Sequence, residues 1–169
     1  MIGQIITADV VRDITPIRGS VSADFINPCI IRAQDLKMSY VVGYKLLARL
    51  ISVANGGADT VDGRYQALID EFVRPYLAWE TAFYLLPDVA IKIGASGVQE
   101  GTSAQGNPIF EGTMALIRQN ILNASSGYKK LLKDHLCIDF SRYPEYQEYE
   151  MGRQSKSDTG KPFYGVQNY

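Results

Sequence analysis

His135 is the sole histidine of the chain, and the dyads or triads of nucleophilic catalysis that use an imidazole would have to be built around it. Its neighbours in sequence are Asp134 and Cys137. Residues one and two apart on a helix point in different directions, so the group is sequential rather than geometrical. A histidine near a helix C-terminus, favoured there by the backbone dipole, is the plainer role. Asp70 and Glu71 are adjacent and diverge in the same way, and Glu80 and Asp88 stand alone. No acid–base pair follows, and these carboxylates are expected on a solvated face. Gly101-Thr-Ser-Ala-Gln-Gly106 has the glycine spacing of a phosphate loop. Asn107 and Pro108, however, stand where the phosphate-binding Lys and the magnesium-binding hydroxyl belong. Gly94-Ala-Ser-Gly97-Val98 misses the G-x-S-x-G nucleophile elbow by one position. Cys29 and Cys137 lack C-x-x-C spacing and are expected to be two buried thiols in a reducing compartment. We therefore expect no catalytic activity, no metal and no cofactor.

The elements that would position these residues are helical. The chain has 169 residues, 46% apolar and 21% charged, a size suited to one core. Residues 1–26 mix short apolar groups with Asp9, Arg12, Pro16 and Gly19, the pattern of an extended arm with short strands. Asn27-Pro28 predicts a helix start, with a helix over 28–38. Val42, Leu46, Leu47, Leu50 and Ile51 predict a second helix from Ser39 to the turn at Asn55-Gly56-Gly57. A third, capped by Asp62, carries Tyr65, Leu68, Ile69, Phe72, Tyr76, Phe83 and Leu86; Pro75 should kink it and Pro87 end it. A fourth spans about 109–136, with Phe110, Met114, Ile117, Ile121, Tyr128, Leu131 and Leu132 on one stripe, weakened by Ser125-Ser126-Gly127. The result is a mainly α bundle of three to four helices over residues 27–138.

Two segments read as projections. Residues 91–108, with Gly94, Gly97, Gly101 and Gly106, predict a β-hairpin or loop. After Ile138, residues 139–169 are aromatic but almost devoid of aliphatic side chains, which predicts a tail ordered by a partner. Tyr143, Tyr146, Tyr149, Phe163, Tyr164 and Tyr169 are its interface residues.

Seventeen Lys and Arg against eighteen Asp and Glu give a formal charge of -1, too little positive field for broad nucleic-acid affinity. Lys129, Lys130 and Lys133, with Arg118, could form a local patch on the last helix, although surface charge is the plainer reading. Met1–Val11 has no cationic segment ahead of a long apolar stretch, so it does not read as a secretory signal. No uncharged apolar run reaches the roughly 18 residues of a membrane span.

The order Ile30-Ile31-Arg32-Ala33-Gln34, then Val42-Gly43-Tyr44-Lys45-Leu46-Leu47, then the long helix closing at Leu85-Leu86-Pro87 resembles the head–tail connector (adaptor) proteins of tailed bacteriophages. The similarity is to the ring proteins below the portal in crAss-like phages, and it covers about residues 20–137. The resemblance implies a structural virion protein, a homo-oligomeric ring, commonly a dodecamer. Such a ring docks on the portal, meets other connector or tail proteins, extends the DNA channel and serves genome ejection. Its location would be the virion's head–tail interface, and the host cytoplasm during assembly. In that setting Gly97, Gln99, Glu100 and Gln105 of the loop would face the channel or a neighbour. Lys129, Lys130 and Lys133 would make sequence-independent contacts with DNA. No membrane partner is implied. A DNA-binding helical phage protein resembling a small terminase subunit is the alternative, and an enzyme centred on His135 a third.

Overall fold

The computed structural model describes residues 3–17, 21–57, 63–95 and 110–158. It is a mainly α helical bundle, with no strand among the described residues. Helix α1 (Ala8–Ile14) is followed by α2 (Ala23–Ala33), which passes through a π-turn at Gln34–Met38 into α3 (Ser39–Val42). Helix α4 (Tyr44–Ala54) follows Gly43. Helix α5 (Gly63–Leu68) passes through a second π-turn, Ile69–Val73, into α6 (Arg74–Ala95). Helix α7 (Phe110–Ile138) leads through a 3₁₀ turn at Phe140–Arg142 into α8 (Pro144–Asp158). None of the described helices is long and apolar enough to cross a membrane.

The N-terminal arm is not extended. Ile5, Ile6, Ala8 and Val11 are buried in the main core, and α1 is a short helix held there by packing. Gln34 fixes the approach to it: its Oε1 accepts from the Ile5 amide and its Nε2 donates to the Gly3 carbonyl, each at 3.1 Å. Helix α2 starts at Ala23, because Ser22 supplies the cap by accepting from the Asp24 amide (3.4 Å). Pro28 therefore lies inside α2, on an exposed face.

Gly43 ends α3 and opens α4 with φ +81°, a conformation that glycine adopts at least cost. Helix α4 buries Leu46, Leu47, Leu50 and Val53, the face expected from their spacing, and Gly56 (φ +75°) turns the chain away. Of the two prolines in the long helix, Pro75 follows an interruption of the regular α-helix, whereas Pro87 does not end it. The π-turn at Ile69–Val73 sits immediately before Pro75 and widens the backbone where that ring would crowd the preceding turn. Pro87 lies within α6, which runs on to Ala95, so residues 91–95 are helical rather than part of a loop. Asp62 and the remainder of the expected projection, including Gly97, Gln99, Glu100 and Gln105, lie outside the described residues.

Helices α6 and α7 pack along each other, with Tyr76, Leu77, Leu85, Ile121, Leu132 and Leu136 buried. Leu131, expected on the core stripe, is 52% exposed, because a further residue rotates it about 100° away from Leu132's neighbours. Ser125 does not weaken α7: it is buried, and its hydroxyl donates to Glu80 Oε1 at 2.6 Å. Glu80 is thus a buried acid with a partner and not a solvated one. Cys29 is buried as expected, whereas Cys137 is exposed.

The largest departure is at the C-terminal end. The boundary expected at residue 138 does not separate two regions, because α8 lies on α4 and completes the core. Tyr143 and Tyr146 are fully enclosed by their own chain, and Tyr149 is partly buried. Their spacing does make one stripe, but it faces inward.

Candidate interaction site

His135 and Tyr143 are brought together by the turn that reverses the chain between α7 and α8. The Tyr143 hydroxyl and His135 Nε2 are 3.2 Å apart, and Asp139 Oδ2 is 3.9 Å from the same nitrogen. The imidazole stacks on Phe72, with ring centroids 4.4 Å apart. Tyr143 meets Tyr65 edge-on at 5.8 Å, and the Tyr65 hydroxyl donates to both carboxylate oxygens of Glu145 at 3.0 and 3.2 Å. Arg49 and Arg64 lie over the Tyr65 ring. Burial, then the neighbouring carboxylate, raises the Tyr65 pKa above its ordinary value. The whole group fastens the start of α8 to α5, its π-turn and α7.

Asp134 and Cys137 are exposed and do not join this group. Tyr146 stands beside Glu150 and Cys137; burial first, and those two groups after it, raise its pKa. Among the described residues no set of three or more His, Cys, Asp or Glu side chains is placed to hold a metal ion. Of the tail residues expected at an interface, Tyr143 and Tyr146 are withdrawn from any partner by burial. Phe163, Tyr164 and Tyr169 lie outside the described residues. Tyr149 is committed to its own chain: its hydroxyl donates to the Tyr40 carbonyl at 2.7 Å and its ring covers Gly43.

The outward apolar groups lie elsewhere, on two unlike surfaces. Leu36 and Tyr40 are exposed on the first π-turn and α3, and Tyr44, 80% exposed, opens α4 beyond the break at Gly43. Leu116, Leu131 and Ile138 leave α7 on one side, and Ile138 is 83% exposed. Lys129 extends to within 5.7 Å of the Tyr40 ring centroid. Two residues are more than half a helical turn, so the Tyr40 side of α7 and the Leu131 side are opposed. Composition gave no sign of either surface, since an apolar residue carries no mark of whether the folded chain covers it.

Lys129, Lys130 and Lys133 are on α7 together with Arg118, which lies over Phe83 at 5.3 Å. Arg153 of α8 joins Lys129 at the Tyr40 ring, 5.2 Å from its centroid. Lys45, on α4, pairs with Glu148 on α8.

The match to a known family begins at the first residue of α3 and ends inside α8: the model of DUF6712, a family of unknown function, matches residues 39–155. The chain is a DUF6712 protein. The DUF6712 match takes in Gly43, Tyr65, His135, Tyr143 and Tyr149, so the seat of α8 and α8 itself fall within one family unit, whereas α1 and α2 precede it. No curated protein and no solved structure matches this DUF6712 chain.

Proposed function

We propose that this DUF6712 protein is a structural virion protein: a subunit of a head–tail connector ring that docks on a portal, extends the DNA channel and joins capsid to tail. The observation that carries the reading is that exposed apolar side chains lie in two separate places, Leu36 and Tyr40 with Tyr44 beyond Gly43, and Leu116, Leu131 and Ile138 on the flank of α7 that faces away from Lys129 and Tyr40. Contacts between two different surfaces are head-to-tail, and head-to-tail contacts close into rings when the rotation per subunit permits. A two-fold dimer would instead need one self-complementary surface. Apolar side chains of this size at the centre of an interface supply much of its affinity.

The sequence resemblance to phage connector proteins supplies the setting, and the helical bundle suits it. Native mass spectrometry of the chain with and without a portal, together with imaging of assembled particles at residue resolution, tests the reading. A closed ring, commonly of twelve copies, placed against the portal is the expected result. A chain that stays monomeric beside the portal, or that is found in the particle away from the head–tail junction, overturns it.

A further inference from the structure

We propose that the flank of α7 carrying Arg118, Lys129, Lys130 and Lys133, bordered by Tyr40, binds the phosphodiester backbone of double-stranded DNA without sequence preference. From Ala115 to Ile138 these four cations face a single acid, Asp134. Arg118, Lys129 and Lys133 leave the helix within about a sixth of a turn of one another, and Lys130 stands beside them. None of the four has a carboxylate within 4 Å among the described residues, and Asp134, one turn beyond Lys130, makes no ion pair with it.

The chain's formal charge of -1 conceals this separation. The nearby acids of α8 are each engaged: Glu145 with Tyr65, Glu148 with Lys45, and Glu150 with Arg153 at 3.5 Å. Glu148 and Glu150 are thus paired with cations outside α7, and Glu145 is turned toward Tyr65. Lys129 is held at the exposed Tyr40 ring, which it shares with Arg153 of the Glu150 pair.

A straight row of this kind fits a polymer of regularly spaced charge. From Arg118 to Lys133 the helix rises roughly 22 Å. Duplex DNA offers one negative charge per about 1.7 Å of its axis, a dense field that attracts such cations whatever the base sequence. Such contacts position DNA and carry no base information. The flank carries only Leu122 as a large exposed apolar group, too little for a membrane surface.

The inference rests on the connector reading only for the source of the DNA; binding itself is a property of the isolated chain. The experiment is fluorescence anisotropy of a labelled duplex titrated with the full chain at several salt concentrations. Log affinity should fall linearly with log salt, by about 0.9 for each phosphate neutralised. Lys129→Gln/Lys130→Gln/Lys133→Gln should lose at least about tenfold in affinity at low salt and flatten the salt slope by roughly two to three. The corresponding triple Lys→Arg protein should retain both, and Arg142→Gln, at the opposite end of the turn, should change neither. Circular dichroism confirms that each variant remains helical. Absence of binding at 50 mM salt, a triple Gln variant that binds like the parent, or equal competition by polyglutamate overturns the proposal. A ring that assembles on the portal but fails to bind DNA would remove this inference and leave the connector reading in place.

Discussion

The ring of Tyr149 occupies the space that a side chain on Gly43 would need: a Cβ built on Gly43 would lie 2.5 Å from Tyr149 Cγ. The junction of α3 and α4 and the seat of α8 are therefore one feature. Gly43→Ala combines a steric clash with a positive φ and should cost about 1–3 kcal/mol, measured as a lowered midpoint of denaturant unfolding. In the Tyr149→Ala background the contact with the ring disappears, while the 2.8 Å approach to the residue-149 Cβ and the backbone penalty remain, so the two substitutions should be less than additive.

Helix α8 should be required for a cooperative fold. A chain ending at Ile138 loses Tyr143 and Tyr146 from the core, and a large buried side chain is worth about 3–5 kcal/mol. The sum approaches the whole stability of an ordinary domain. Thermal unfolding followed by circular dichroism should show a broad, weakly cooperative transition. A sharp transition near that of the full chain would mean that α8 is an appendage.

Tyr143→Phe keeps the ring against Tyr65 and removes the hydrogen bond to His135. A loss of about 1 kcal/mol is expected, and His135→Ala should cost less in the Tyr143→Phe background than in the parent chain, because the shared hydrogen bond is already gone. Chemical denaturation of the four proteins of this cycle gives the coupling directly.

At the α6–α7 contact, Ser125→Ala leaves the buried Glu80 carboxylate without its donor. A destabilisation of about 1–3 kcal/mol is expected at neutral pH. The same change made with Glu80→Gln should cost less than the sum, since the unpaired charge is gone.

Alkaline pH should weaken the fold through its buried phenols. Burial raises the pKa of Tyr65, Tyr76 and Tyr146, with Glu145, Glu80 and Glu150 respectively adding to it. Each folded-state value lies above the unfolded one, so the native chain holds protons that the unfolded chain releases. Stability is then full below about pH 10 and declines as pH rises beyond it. Urea midpoints between pH 8 and 11 should fall, and the decline should be shallower in Tyr76→Phe or Tyr146→Phe.

Much of the bundle was legible in the spacing of apolar residues. Helix α4 and the run from α5 into α6 bury the face that the three- and four-residue recurrence marks, and α7 buries Ile121 and Leu132 of its stripe but turns Leu131 outward. What failed were features decided by contacts distant in sequence. Helix α1 is too short to announce itself, and it exists because Val11 and its neighbours reach the core and because Gln34 ties the preceding residues down. The recurrence of Tyr143, Tyr146 and Tyr149 correctly gave a stripe, but its direction depends on the turn at Phe140–Arg142 and on Gly43. Pro87 marked a helix end by local rules, yet α6 continues past it. Glu80 looked solvated because its partner, Ser125, is 45 residues away.

The side-chain amide of Gln34 presents one donor and one acceptor, the same complement as a peptide unit, and Gly3 and Ile5 offer the reciprocal pair. One residue thereby does the work of a single rung between two strands in a protein whose described part has none. This imposes a two-symbol grammar at that position: glutamate lacks the donor, methionine lacks both symbols, and asparagine carries both on a stem one carbon too short. The path of the N-terminal segment is thus written in polar complementarity at a site enclosed by apolar side chains.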